Sequence, residues 1–152
     1  MAEKEGPDNV VELRARALRL LARREHARRE LEDKLAPHAG SPAELQSLIS
    51  GLQQKNQFSE ERYAEERARK LSRKYGAARI RQDLKAKGVP EELIARFSSS
   101  QDELQKAKAI LERKYRAPAT TREEKARRMR FLQSRGFSST VIFTLLSARD
   151  AA

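Results

Sequence analysis

Two eleven-residue segments of the chain share one pattern, and this repeat constrains the fold more than any other feature. LKAKGVPEELI spans residues 84–94 and LQSRGFSSTVI spans residues 132–142, an offset of 48 residues. Each pattern predicts a helix that ends at a glycine (Gly88 or Gly136), a tight turn, and a second helix. Glycine is expected there because the residue after a helix often adopts a left-handed conformation that disfavours a side chain. The apolar residue that follows (Val89 or Phe137) is expected to fill the corner between the helices.

A looser copy of the pattern lies earlier in the chain. GSPAEL at 40–45 is similar to GVPEEL at 88–93, so Gly40 is expected to close a helix and Ser41 to cap the next, with Glu44 completing a capping box. Three copies predict three three-helix repeats. The predicted boundaries are a disordered segment at 1–8 and repeats at 9–57, 58–99 and 100–150. Because tandem repeats contact mainly their neighbours, we expect an all-α, elongated and curved array.

Composition supports a helical chain with a thin core and a polyanionic partner. Hydrophobic residues make up 38% of the 152 residues and charged residues 36%. Lys and Arg number 33 against 22 Asp and Glu, which gives a net charge of +11. Such an excess favours nucleic acid or an acidic protein surface as a partner and says nothing about the fold.

Other features exclude several classes of protein. The chain has no cysteine, its first residues lack the apolar run of a signal peptide, and no stretch approaches the roughly 18 apolar residues of a membrane span. A cytoplasmic monomer without membrane contact is therefore expected. His26 and His38 have no second ligand at helical spacing, so we expect both at the surface and predict neither a metal nor a cofactor. No phosphate loop or nucleophile motif occurs, which argues against an enzyme.

Positive charge concentrates in the middle of the sequence. Residues 62–88 contain ten basic residues against Glu65, Glu66 and Asp83. Arg79, Arg81 and Lys85 lie off the apolar Ile80 and Leu84 positions, so they are expected to be solvated and to form a basic ridge. The predicted partner- or DNA-binding residues are Arg69, Lys70, Arg73, Lys74, Arg79, Arg81, Lys85 and Lys87. The alternative is a salt-bridged helical surface without a ligand.

The helix–glycine–helix turn is also typical of DNA-binding helix-turn-helix motifs, which present polar side chains to base edges. The helix after Gly136 offers almost none, and the helix after Gly88 offers Glu91 and Glu92, which phosphate would repel. Base-specific reading is therefore not favoured. Tyr63 and Tyr75 are expected mostly in the core rather than as stacking platforms for bases.

Several motifs follow one another in a fixed order. They are Arg-aromatic-Ala at 62–64 after Glu60 and Glu61, Tyr-Gly-x-x-Arg-Ile at 75–80, and acid-Leu-x-x-Lys-Gly at 83–88. Together they resemble the centre of the RecX family of recombinase regulators. The first unit is similar at His26, Arg28, Glu30, Leu31, Lys34 and Leu35, and FLQSRGFSSTVI resembles the close of the third. The chain departs from the family at Ala27, where a hydroxyl residue usually caps a helix, and at Ala77, where proline is common.

The resemblance covers about residues 12–147 and implies three tandem three-helix repeats. It also implies binding to the RecA recombinase, free and as its filament on single-stranded DNA, with effects on ATP hydrolysis, strand exchange and filament assembly that are usually inhibitory. Weak nonspecific contact with single- and double-stranded DNA would accompany this role in recombination, repair and the SOS response. Two other readings stay open: a nonspecific nucleic-acid-binding repeat protein, and a structural adaptor whose charge serves solubility.

Overall fold

The computed structural model describes residues 6–150, and side chains over residues 6–147. Within this range the chain forms nine α-helices, one 3-10 turn and no strand, which confirms the predicted all-α repeat array. The helices are α1 Val10–Arg23, α2 Arg28–Leu35, α3 Pro42–Gln54, α4 Glu60–Leu71, α5 Ala77–Ala86, α6 Glu91–Phe97, α7 Glu103–Lys114, α8 Arg122–Ser134 and α9 Ser139–Asp150, with the 3-10 turn at Ala36–His38. None of the helices in the described range has the length and apolarity needed to span a bilayer.

Two compact units make up the chain: residues 1–64 with 87–89, and residues 65–86 with 90–152. In the first unit, α1 packs on α2 and α3. The core side chains of this unit are Leu13, Ala17, Leu31, Leu35, Leu45, Ile49, Leu52 and Phe58. Leucine and isoleucine at helical spacing thus give each short helix one buried stripe, as the sequence pattern predicts.

The start of the first unit is more ordered than expected. Residues 1–5 of the predicted disordered segment lie outside the described residues. Asp8, however, is buried, its backbone N–H donates to the carbonyl of His38 at 2.8 Å, and its carboxylate accepts from Arg16 at 2.9 Å. Asn9 then caps α1 in a full capping box with Glu12. Asp8 therefore belongs to the fold, because its backbone and its charge both find partners.

The prediction for the looser copy of the repeat was wrong at its glycine. Helix α2 ends at Leu35 and continues into the 3-10 turn, so Gly40 does not close a helix, and its φ is not in the left-handed region. The predicted Ser41 cap is present, since its hydroxyl accepts the Glu44 N–H at 3.2 Å, but the Glu44 side chain does not complete a capping box.

The two closer copies have the predicted conformation. Gly88 has φ 78° and Gly136 has φ 89°, both in the left-handed region. Val89 and Phe137 are each buried, with 5% of their surface exposed. The repeated sequence pattern therefore encodes the same helix ending twice.

In the second unit, α7 packs against α8 and α9, and α5 packs against α6. The α7–α9 core contains Ala107, Ile110, Leu111, Leu132, Phe137, Ile142 and Leu145. The turn before α5 is held against the end of α8, because the Gly76 N–H donates to the carbonyl of Arg135 at 2.6 Å. A Cβ on Gly76 would lie 2.6 Å from the carbonyl oxygen of Gly136, so only glycine permits this approach.

Candidate functional site

All eight predicted binding residues are exposed, but they lie in different settings. Arg69 and Lys70 lie in the last turn of α4, and Arg73 and Lys74 lie in the turn after it. The others belong to α5 or follow it directly. Lys87 belongs to the first compact unit and the remaining seven to the second. No acidic side chain in the described part of the chain pairs with Arg73, Lys74, Arg79, Lys85 or Lys87.

The salt-bridged alternative describes part of this surface. Arg69 lies 3.6 Å from Glu65 and Lys70 lies 3.4 Å from Glu66, each one helical turn away. Such exposed pairs contribute about 0.3–0.5 kcal/mol each. These cations are thus loosely neutralised by their own helix.

The three α5 cations do not form one ridge. At about 100° per residue, Arg79 and Arg81 point some 160° apart on α5, on opposite sides of the buried stripe. Arg81 pairs with Glu91 of α6, whereas Arg79 donates to the carbonyl of Ser134 at 2.9 Å. Lys85, one turn after Arg81, has no such partner. Arg79 is therefore tied to the end of α8 and Arg81 to α6.

Three aromatic rings contact cations that have no carboxylate partner in the described part of the chain, and Tyr75 is the first of them. It is half-buried, and the Arg79 guanidinium lies 4.8 Å and the Arg135 guanidinium 5.4 Å from its centroid. Arg135 also lies 5.0 Å from the centroid of Phe131. The guanidinium of Arg135 is thus shared by two rings.

The series continues along α7 and α8. Lys114 lies 4.4 Å from the Phe131 centroid and 5.8 Å from that of Tyr115, and the two rings meet edge to face at 5.9 Å. Arg128, which is only 6% exposed, lies 4.6 Å from the Tyr115 ring. We call this series the cation–ring ladder: the rings Tyr75, Phe131 and Tyr115 with the cations Arg79, Arg135, Lys114 and Arg128. Cation–π contacts of this kind contribute about 0.5–2 kcal/mol each.

An open groove of about 430 Å³ lies beside the ladder. Five cations line it, which are Arg73, Lys74, Arg113, Lys114 and Arg135. Only the first two belong to the predicted set. Arg113, Lys114 and Arg135 were missed because they lie at least 39 positions later in the chain than Lys74. The signal available in the sequence was the recurrence of a basic residue beside an aromatic one at 114–115 and 130–131.

His26 is buried, with 2% of its surface exposed, which corrects the expectation of a surface position. Its Nε2 lies 3.0 Å from Lys34 Nζ and its Nδ1 lies 3.0 Å from the carbonyl of Arg24. Because the ammonium group is only a donor, Nε2 accepts and Nδ1 carries the proton. Burial lowers the pKa of His26. Both ring nitrogens thus form hydrogen bonds within the protein. In the described part of the chain, no three His, Cys, Asp or Glu side chains come together as metal ligands.

Comparisons with known proteins agree along the chain. Residues 59–96 match the family model described as the second three-helix domain of RecX, and residues 101–146 match the third. The regulatory protein RecX of Leptothrix cholodnii is 42% identical over 140 residues, which cover 91% of this chain and 89% of that protein. The regulatory protein RecX of Herbaspirillum seropedicae is 39% identical over 134 residues, covering 87% of each.

A solved structure shares the fold. The crystal structure of RecX from Lactobacillus salivarius is similar with a TM-score of 0.81 at 20% identity, and the match covers 94% of this chain and 97% of that one. The family models, the curated relatives, the sequence motifs and the two left-handed glycine turns agree with one another. This chain belongs to the RecX family of regulatory proteins.

Proposed function

We propose that this protein regulates homologous recombination and DNA repair by binding the RecA recombinase, free and as its filament on single-stranded DNA. In this proposal it inhibits ATP hydrolysis, strand exchange and filament assembly, and it acts in the cytoplasm by binding and not by catalysis. The observation that carries the proposal is the 36–42% identity to proteins named regulatory protein RecX over most of the chain.

The charge of the chain supports such a partner. The net charge is +11, and the second compact unit exposes cations without carboxylate partners, Arg73, Lys74 and Lys85 among those in its described part. A filament offers many identical subunits and a bound nucleic acid, so several weak contacts add through multivalency.

The direct test is the rate of ATP hydrolysis by the recombinase on single-stranded DNA during titration with this protein. We expect the rate to fall as the protein approaches a fixed ratio to recombinase subunits. A rate that stays constant up to a large excess of the protein, with filament length unchanged by microscopy, would contradict the proposal.

The excess of basic residues favours a second candidate, a nonspecific nucleic-acid-binding repeat protein. The two differ in their salt dependence. Contacts with naked DNA that rest on phosphate should be lost by roughly 0.2 M salt, whereas contacts with recombinase subunits persist. Equal loss of both kinds of binding would favour the second candidate, and binding to neither would leave a structural adaptor.

A further inference from the structure

The cation–ring ladder places positive charge in fixed positions without neutralising it. None of its four cations forms an ion pair with a carboxylate in the described part of the chain. The rings and the Ser134 carbonyl hold them instead. A surface salt bridge would neutralise the charge, whereas an aromatic face orients a cation and leaves its outward side available. This holds for the exposed Arg79 and Lys114 and the half-buried Arg135, but not for Arg128, which is buried.

Two cations of the ladder, Lys114 and Arg135, also line the groove beside it. Its lining contains five cations and no acidic side chain. The apolar part of the lining comes from Tyr75, Ile110 and Phe131. A neighbouring recess of about 490 Å³ shares Arg73, Ile110 and Arg113 with the groove and extends it along α7. The lining of the recess adds one cation, Lys106, and one acidic residue, Glu112. The surface is thus longer than a site for one small anion.

The ligand that fits has evenly repeated negative charges and flat apolar parts. A phosphodiester chain supplies one charge per nucleotide, and its bases stack on rings and guanidinium planes. The cations of the ladder already cover the faces of Tyr75 and Phe131. These rings therefore do not distinguish a base from an acidic peptide, and the choice between the two ligands rests on the proposed function. Duplex nucleic acid keeps its bases stacked inside and is read by an element that enters a groove of the duplex, not by a groove of the protein.

We propose that the groove between the 72–75 turn, the end of α7 and the end of α8 binds the phosphodiester backbone of single-stranded nucleic acid. The choice of ligand rests on the proposed function, since the recombinase filament forms on a single strand. The groove draws on both the second and the third predicted repeats, so neither repeat contains the whole site. The predicted α5 residues Arg81 and Lys85 do not line it.

The test measures binding of a fluorescent thymidine oligonucleotide by anisotropy. In the variant Lys74→Glu/Lys114→Glu both changed residues line the groove. In the control Lys108→Glu/Arg130→Glu the changed residues are exposed on α7 and α8 outside it, and the change in net charge is the same. We expect the groove variant to bind about tenfold or more weakly at low salt and the control to bind within about twofold of wild type. Equal loss in both variants would reduce the effect to net charge and overturn the proposal.

Two further arms identify the ligand. With Lys74→Gln/Lys114→Gln, which adds no repulsion, the slope of log K against log salt should fall by about 1.4, because each single-strand phosphate contact contributes roughly 0.7. Polyglutamate should compete poorly with the oligonucleotide. If it binds as tightly and loses binding in the groove variant, the partner is an acidic protein segment and the proposal is wrong. The recombinase takes no part in these measurements, so their failure is separate from that of the ATP hydrolysis test.

Discussion

The backbone N–H of Ala77 donates a hydrogen bond to a carboxylate oxygen of Glu103 across 3.0 Å, so a side chain of α7 caps the start of α5. The other carboxylate oxygen lies 2.8 Å from Lys106 Nζ, and Glu103 is buried. A proline in the place of Ala77 would have no N–H to satisfy at the first position of the helix. The departure from the family pattern at Ala77 therefore creates a donor, and Glu103 accepts it.

Removal of this cap should destabilise the second unit. We expect Glu103→Ala to lower the free energy of unfolding by about 1.5–3 kcal/mol, the range for hydrogen bonds to charged groups, measured by urea denaturation. Glu112→Ala, on the exposed part of the same helix, is the control and should change it by less than about 0.5 kcal/mol. In an Ala77→Pro background the cost of Glu103→Ala should shrink, because the donor is gone. An unchanged cost would show that the carboxylate stabilises the fold in another way.

Replacement of each of three glycines by alanine should change the stability of the protein in a predictable order. Gly51 lies inside α3, and a methyl group added to its Cα would meet no atom within 4 Å beyond the nearby backbone of its own helix and its chain neighbours. Gly51→Ala should therefore stabilise the protein by about 0.5–1 kcal/mol. Gly88→Ala should cost about 1–2 kcal/mol for its left-handed backbone. The three atoms nearest to the added Cβ belong to the flexible end of the Arg29 side chain, which can move away.

Gly136→Ala should cost most. Its φ is also left-handed, and a Cβ there would lie 2.6 Å from the backbone nitrogen of Arg79, which cannot move without shifting α5. Thermal unfolding of the three variants checks the order. Equal melting temperatures for Gly88→Ala and Gly136→Ala would show that the end of α8 and the start of α5 separate at little cost.

Stability should depend on pH through His26. The pKa of His26 is lowered from 6.5 chiefly by burial, so the unfolded chain takes up a proton at higher pH than the folded one. This contribution is fully present above pH 6.5 and is lost as the pH falls through the folded value. His26→Gln should therefore flatten the decline in unfolding free energy below pH 6.5. A decline as steep as that of wild type would assign the pH dependence to other groups.

At more acidic pH, stability should depend on a different residue, Glu30. The hydrogen bond from Arg24 lowers the pKa of Glu30 from 4.5 to about 2, so its contribution is complete above 4.5 and is lost only between these two values. Glu30→Gln should remove stability at pH 7, as followed by denaturant titrations at each pH. Because the charge of Glu30 also raises the pKa of His26, its loss should make the decline below pH 6.5 steeper.

The sequence predicts the helices and their endings well because these depend on local chemistry. Gly88 and Gly136 follow from their spacing alone. His26 was placed at the surface because no local pattern shows that Lys34 and the Arg24 carbonyl will satisfy both ring nitrogens. The predicted ridge of three α5 cations does not form, because residues that are all exposed still point in different directions around a helix.

The groove was only half predicted for a different reason. Arg73 and Lys74 lie in the basic run, but Arg113, Lys114 and Arg135 meet them only through the packing of α7 and α8 on the 72–75 turn. Contacts between residues 39 or more positions apart depend on the tertiary arrangement, which clustering of charge along the sequence does not indicate.

Mutation of the α5 cations should have two different effects: loss of stability at Arg79, and unchanged stability at Arg81 and Lys85. Arg79→Glu should lower the melting temperature, because it removes the hydrogen bond to Ser134 and the contact with Tyr75. Arg81→Glu/Lys85→Glu should leave the helical circular dichroism and melting temperature close to wild type, since both residues are exposed. If these two cations meet the recombinase filament, the double variant alone should lose inhibition of ATP hydrolysis. Full inhibition by the folded double variant would remove them from the interface.

Substitution of Arg128 tests whether its cation–π contact in the ladder stabilises the fold. Its side chain is buried and its Nε lacks a hydrogen-bond partner in the described part of the chain, so its charge is costly to the fold. Arg128→Met keeps an unbranched apolar side chain at this position and removes that cost, so the free energy of unfolding should stay level or rise by about 1 kcal/mol. Arg130→Met, exposed on the same helix, is the control and should leave it unchanged. A loss above about 2 kcal/mol for Arg128→Met would show that the cation–π contact outweighs the desolvation of the charge, and that the ladder is part of what holds α7 to α8.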